Sequence, residues 1–218
     1  MAVLPDSVVI DTQAVDEEVS ALCTSGTPAL VLTGVMLQVL RQKFADPDEI
    51  EIPALRDKIW TPELETSKIL IGPAYRWNPV EAMNRPAIMV RRHAIRSQRI
   101  GVNDAHMGNY QTPDGAETHE DLELTGHLLF CIGRTGAEAD LLGTEVWKHF
   151  KHFGPVIRKD LKLARFQVME LSEVGKVEES KDHFATAVSC FSAFYERWDL
   201  ILESPILKRL LGQTEINE

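Results

Sequence analysis

The chain has 218 residues, 44% hydrophobic and 26% charged, which suits a globular protein with one substantial core. Its formal net charge of −10 argues against a general affinity for nucleic-acid phosphates, because that binding is mainly electrostatic. The three scattered cysteines argue against a disulfide framework, and no apolar run approaches the ~20 residues of a membrane span. The opening MAVLPDSVVID lacks the basic and apolar regions of a secretory signal, so a reducing cytoplasm is the expected compartment of synthesis.

Residues 5–24 alternate only weakly and carry no assignment. Thr27-Pro28 reads as an N-cap followed by proline at the first helical position, opening a helix over ALVLTGVMLQVLRQKF. Arg41 and Lys43 stand near its end, where the helix dipole favours cations. Gly34 costs that helix roughly 1 kcal/mol against alanine and is read as room for close packing. Asp46-Pro47 stops the helix. Residues 47–85, with prolines at 47, 53, 62, 73 and 79, form a connector that wraps the core. Trp60, Tyr75 and Trp77 make it too apolar for a free linker, and Ile69-Leu70-Ile71 is its expected strand.

Pro86 opens the next strand, AIMVRRHAIRSQRI. If unbroken, it places Arg92 and Arg96 on one face and Arg91 and Arg99 on the other. Residues 101–120 lack periodicity and contain the turn signals Asn103-Asp104, Gly108-Asn109 and Asp114-Gly115, so they read as a long inter-strand loop. Leu122 to Arg134 alternates, with Leu122, Leu124, Leu128, Phe130 and Ile132 on one face. Thr135 and Glu138 have capping-box spacing before the helix AEADLLGTEVWKHFKHF, which Gly154-Pro155 is expected to end. A strand over Leu163–Ser172 and a polar turn lead to the closing segment, Phe184 to Pro205. That segment fits both period two and period 3.6; its dense aromatic and β-branched residues favour a strand. Strand pair, helix, strand pair predicts a single α+β domain over 1–218, an antiparallel β-sheet flanked by helices on one face.

The chemistry-bearing residues are sparse. His149 and His152 are three apart and lack the HExxH arrangement of a zinc helix. His106 and the run His119-Glu120-Asp121 fall in or beside the loop without a recurring ligand spacing. There is no GxSxG elbow, P-loop or dinucleotide fingerprint, and Cys131 and Cys190 sit in apolar runs where a thiol is inert. No catalytic, cofactor or metal site is therefore assigned. Arg91, Arg92, Arg96 and Arg99 admit three roles: charges that protect an edge strand, forks that pair with a neighbouring subunit's carboxylates, or DNA contact. For the second role Glu178 and Glu179 are candidate partners among 33 acidic residues.

In order and pattern, RPAIMVRRHAI, LELTGHLLFCIGRTG, AEADLLGTEVWKHF, ARFQVMELSEVG and AVSCFSAFYERWDLILESP, preceded by the first helix, resemble the tail terminator and tail-completion proteins of long-tailed bacteriophages. The resemblance covers residues 28–43 and 86–207. It implies a non-enzymatic virion protein of the tail neck, assembled in the host cytoplasm with no membrane contact. Copies would form a homo-oligomeric ring, a hexamer, that caps the tail tube protein and joins it to the head-connector and other neck proteins. DNA would pass through the lumen without specific binding. Two other readings remain: a head-closure adaptor of the neck, and a metal-dependent hydrolase using His106 and His119.

Overall fold

A computed structural model describes residues 28–78, 85–98, 110–111, 117–177 and 182–200. Its fold is α+β: two long helices pack against one face of an eight-stranded sheet. Helix α1 spans Pro28–Ala45. Strands β1 (Leu70–Pro73), β2 (Ala87–Arg92), β3 (Arg96–Gln98), β4 (Tyr110–Gln111) and β5 (Glu117–Gly133) follow. Helix α2 (Gly136–Asp160) then leads to β6 (Arg165–Leu171), β7 (Gly175–Lys176) and β8 (Phe184–Leu200). The main path across the sheet is β1-β2-β5-β8-β6, with β3 and β4 also on β5 and β7 on β8.

The sheet is mixed, which corrects the antiparallel expectation at one place. β1 runs parallel to β2, pairing Ile71 with Ile88, while every other ladder is antiparallel. The connector makes this possible, because it carries the chain far enough to re-enter in the same direction as β2. It also anchors itself in the core through Ile50, Leu55, Ile69 and Ile71. Two pieces of the stretch read as a loop are strand: β4 and the first four residues of β5. The closing segment is strand as expected, and β8 pairs with β5 along all seventeen residues of each.

Helix α2 begins at the predicted cap. The Glu138 N–H donates to Thr135 Oγ1 at 3.1 Å, and the Glu138 carboxylate accepts from the Arg134 N–H at 2.9 Å. It does not end at Gly154-Pro155 but runs to Asp160. The proline removes one backbone bond, yet the turns beyond it place Ile157 in the core, and Leu161 just past the helix joins it there. Gly154 lets the same stretch approach Phe166 of β6. Tertiary burial outweighs the local breaker.

The core lies between the helices and the facing side of the sheet. Leu32, Met36, Leu40 and Phe44 of α1 and Leu142, Val146 and Phe150 of α2 meet Ile88, Val90, Leu129, Cys131, Val188, Cys190 and Phe194. Closest approach occurs at Gly143, where a Cβ would overlap the Thr186 methyl and stand 2.9 Å from Leu171 Cδ1. Gly34, by contrast, faces open space, which corrects its reading as a packing glycine.

Candidate functional site

The two faces of β5 divide its side chains contrary to simple polarity. Glu123, Thr125, His127, Leu129 and Cys131 are buried on the helix side. Leu122, Leu124, Leu128 and Phe130 point the other way and are only partly covered. One end of this second face holds a small cluster of Ala87, Met89 and Ile132 with Trp77, Phe130 and Val177 against it. Further along, Phe191 and Tyr195 of β8 join the leucines, with Tyr195 at 44% exposure. Among the described residues both long helices lie on the opposite side, so this apolar face is open.

The arginines border that open face in a combination that an unbroken strand does not give. Arg92 stands opposite His127 and Arg96 opposite Leu124, so residues 93–95 face only 125–126. This bulge advances the pleat by one. Arg91, opposite Leu128, and Arg96, opposite Leu124, therefore share the open face, and Arg92 turns to the helix side. That corrects the expected pairing of Arg92 with Arg96. Arg165 of β6 completes the border: its guanidinium lies 5.8 Å from the Phe191 ring and donates to Gln167 Oε1 at 2.6 Å. Arg99, Glu178 and Glu179 lie outside the described residues, as does His106. His119 is described only as backbone, paired with Trp198.

Two polar centres lie inside the core, and sequence reasoning missed both. Lys43 does not serve the helix end at the surface. Its ammonium is buried 2.8 Å from Glu145 Oε1 and donates to the Glu49 carbonyl at 2.9 Å. Glu145 also accepts the Glu51 and Ile52 N–H groups, each at 3.1 Å. Burial raises the Glu145 pKa, but the bonds from Lys43, Glu51 and Ile52 and the Lys43 charge outweigh it and hold the carboxyl below its ordinary value. This pair ties α1, the connector and α2 together. One turn on, His149 is buried against Phe153, and its Nε2 has no hydrogen-bond partner among the described residues. Burial, then the Lys43 charge, lowers its pKa to about 4.

The second centre joins α1 to β5. His127, 1% exposed, holds its Nε2 2.8 Å from Thr33 Oγ1, whose hydroxyl donates to the Ala29 carbonyl at 2.9 Å. With that proton committed, the hydroxyl oxygen accepts from Nε2–H and sets a neutral tautomer. Burial chiefly, with the nearby Arg92 and His93 charges, lowers the His127 pKa to about 4, against the raising influence of the Ala29 carbonyl. The sequence signal was available: Thr125 and His127 alternate with leucines, so one set or the other had to face the core.

These centres position helices; they are not open to a substrate. Cys131 and Cys190 are buried, with burial pushing the Cys190 thiol up to about 12 and Cys131 higher still. Among the described residues no group of three or more histidines, cysteines or acids is placed to hold a metal ion. No helix is long and apolar enough to cross a membrane among the residues described. No protein-family model matches the chain, and no curated protein matches it.

Proposed function

We propose that this chain is a structural protein of a long-tailed phage neck, working as a closed ring that caps the tail tube and joins it to the head connector. The supporting observation is the open sheet face: leucines, Phe191 and Tyr195 stay partly exposed between Arg91, Arg96 and Arg165. A contiguous apolar face rimmed by polar groups marks a protein–protein contact. Arginine is the cation most suited to such a border, since its planar fork pairs with carboxylates at a neighbour. The acidic chain then surrounds passing DNA without holding its phosphates. Task and geometry coincide in this reading, and no reactive pocket is required.

Native mass spectrometry and negative-stain images of the purified full chain test it. Six copies of the 24.5 kDa chain give about 147 kDa and an annulus with a central hole. A protein that stays monomeric at high concentration, or that turns over a small molecule as a single chain, removes the proposal.

A further inference from the structure

We infer that the open sheet face receives the Glu63-Leu64-Glu65 turn of a second copy of this chain. The inference rests on the ring reading and deepens it by naming the two surfaces that meet.

The receiving surface is a row across four strands. Arg96 of β3 faces Leu124 of β5, Leu124 faces Ala193 of β8, and Ala193 faces Arg165 of β6. At the usual strand spacing the two arginine Cα atoms stand roughly 14 Å apart, with only Leu124 and small Ala193 between them. In the next row Gly126 faces Phe191, and the His93 ring packs where a Gly126 side chain would stand. Tyr195 bounds the other side, opposite Leu122. The result is a shallow floor in which Leu124 is partly exposed and Ala193 is buried flush between its neighbours, with an exposed arginine on the strand at each end.

The Glu63-Leu64-Glu65 turn has the complementary chemistry: a leucine between two glutamates whose Cα atoms stand at most about 7 Å apart, so the long arginine side chains lean inward to meet them. Leu64 is 53% exposed, and the glutamates on either side of it are exposed too. Neither carboxylate forms an ion pair among the described residues. The turn is tied down from within. The Glu63 carbonyl accepts from the Thr66 and Ser67 N–H groups at 3.3 and 3.1 Å and from Thr61 Oγ1 at 3.1 Å. Thr61 and Thr66 share a 2.6 Å hydroxyl contact, and Arg85 donates to the Leu64 and Ser67 carbonyls. A leucine held out on a fixed turn loses little further freedom on docking. The wider segment strengthens the match: residues 46–65 hold seven acids against two cations.

The placement also fits a closed assembly. The turn leads directly into β1, at one edge of the sheet, while Arg165 lies on β6 at the other. Two unlike patches on identical chains make a heterologous contact, the kind that can close into a ring.

Sedimentation velocity on the full chain tests the pairing. Arg96→Glu/Arg165→Glu breaks the floor and Glu63→Arg/Glu65→Arg breaks the turn. Each is expected to weaken self-association at least about tenfold with unchanged circular dichroism, since all four side chains are exposed. Mixing the two variants should restore assembly, because the intact turn of one meets the intact floor of the other and the reversed, arginine-bearing turn meets the reversed, glutamate-bearing floor. The chain carrying all four reversals should regain assembly. If the double variants assemble as wild type does, the surfaces are wrong and the ring reading stands. If wild type is monomeric, both fall. If wild type instead binds a single-stranded oligothymidine and Arg96→Glu/Arg165→Glu abolishes it, the face belongs to nucleic acid and the inference is overturned.

Discussion

Lys43 and Glu145 meet at 2.8 Å inside the protein, on two helices that the connector joins through the backbone of residues 49–52. A buried pair is costly to break from one side, because the remaining charge keeps its desolvation penalty. Lys43→Met and Glu145→Gln are each expected to cost about 3–5 kcal/mol. The double variant should cost clearly less than the two singles together, as it leaves no unpaired charge. Urea unfolding in a double-mutant cycle measures this; additive losses would show that the pair is not coupled.

The two core histidines give the protein an acid-sensitive range. His127 and His149 are held neutral, with folded pKa values of about 4 against an ordinary 6.5. Below pH 6.5 the unfolded chain gains protons that the folded chain does not accept until about pH 4. Their contribution is therefore complete above pH 6.5 and is lost as pH falls toward 4, by about 3 kcal/mol for His127 alone. Glu145, whose pKa is depressed, adds a loss at still lower pH. Denaturant midpoints should stay level near neutrality and then decline, and His127→Gln should flatten part of that decline. A midpoint unchanged between pH 7 and 4.5 would contradict the placement of both rings.

Leu128 and Leu129 are neighbours in β5 with opposite surroundings. Leu129 is fully buried between the sheet and the helices, whereas Leu128 belongs to the open face. Leu129→Ala should cost about 2–5 kcal/mol. Leu128→Ala should cost about 1 kcal/mol or less in the isolated chain and weaken assembly instead. Thermal melts at a concentration too low for self-association separate the two. Equal losses would mean that the open face is covered.

Gly34 and Gly143 also differ by surroundings. Gly34→Ala adds helix propensity without a steric partner and should stabilise by about 1 kcal/mol. Gly143→Ala presses on Thr186 and Leu171 and should destabilise by about 1–3 kcal/mol. Midpoint shifts of the same sign would refute the packing at Gly143.

Local signals in the sequence located most elements. The Thr135–Glu138 cap, the proline that opens α1 and the alternation of β8 are written in adjacent residues and appear as expected. What depended on distant residues was hidden. The bulge that places Arg96 beside Arg91 on the open face arises from pairing with β5, and the strand sequence alone shows no irregularity. The extension of α2 through Pro155 depends on where Ile157 lands. Lys43 reads as a surface cation until α2 brings Glu145 against it. Of the candidate arginines, three are placed, and Arg165, which lies 5.8 Å from the Phe191 ring, came from a strand singled out for no special role.

The seventeen-residue partnership of β5 with β8 imposes an order on folding. Gly133 precedes its partner Phe184 by 51 positions, while Glu117 precedes Leu200 by 83. Loop-closure entropy is smallest at the Gly133 end, and α2 and β6 occupy the span between the strands there. Loop closure therefore favours pairing outward from Gly133 and Phe184, and the Leu124, Phe191 and Tyr195 face is expected to form after the base beneath it, an order that φ-values at Ile132 and Leu124 would check.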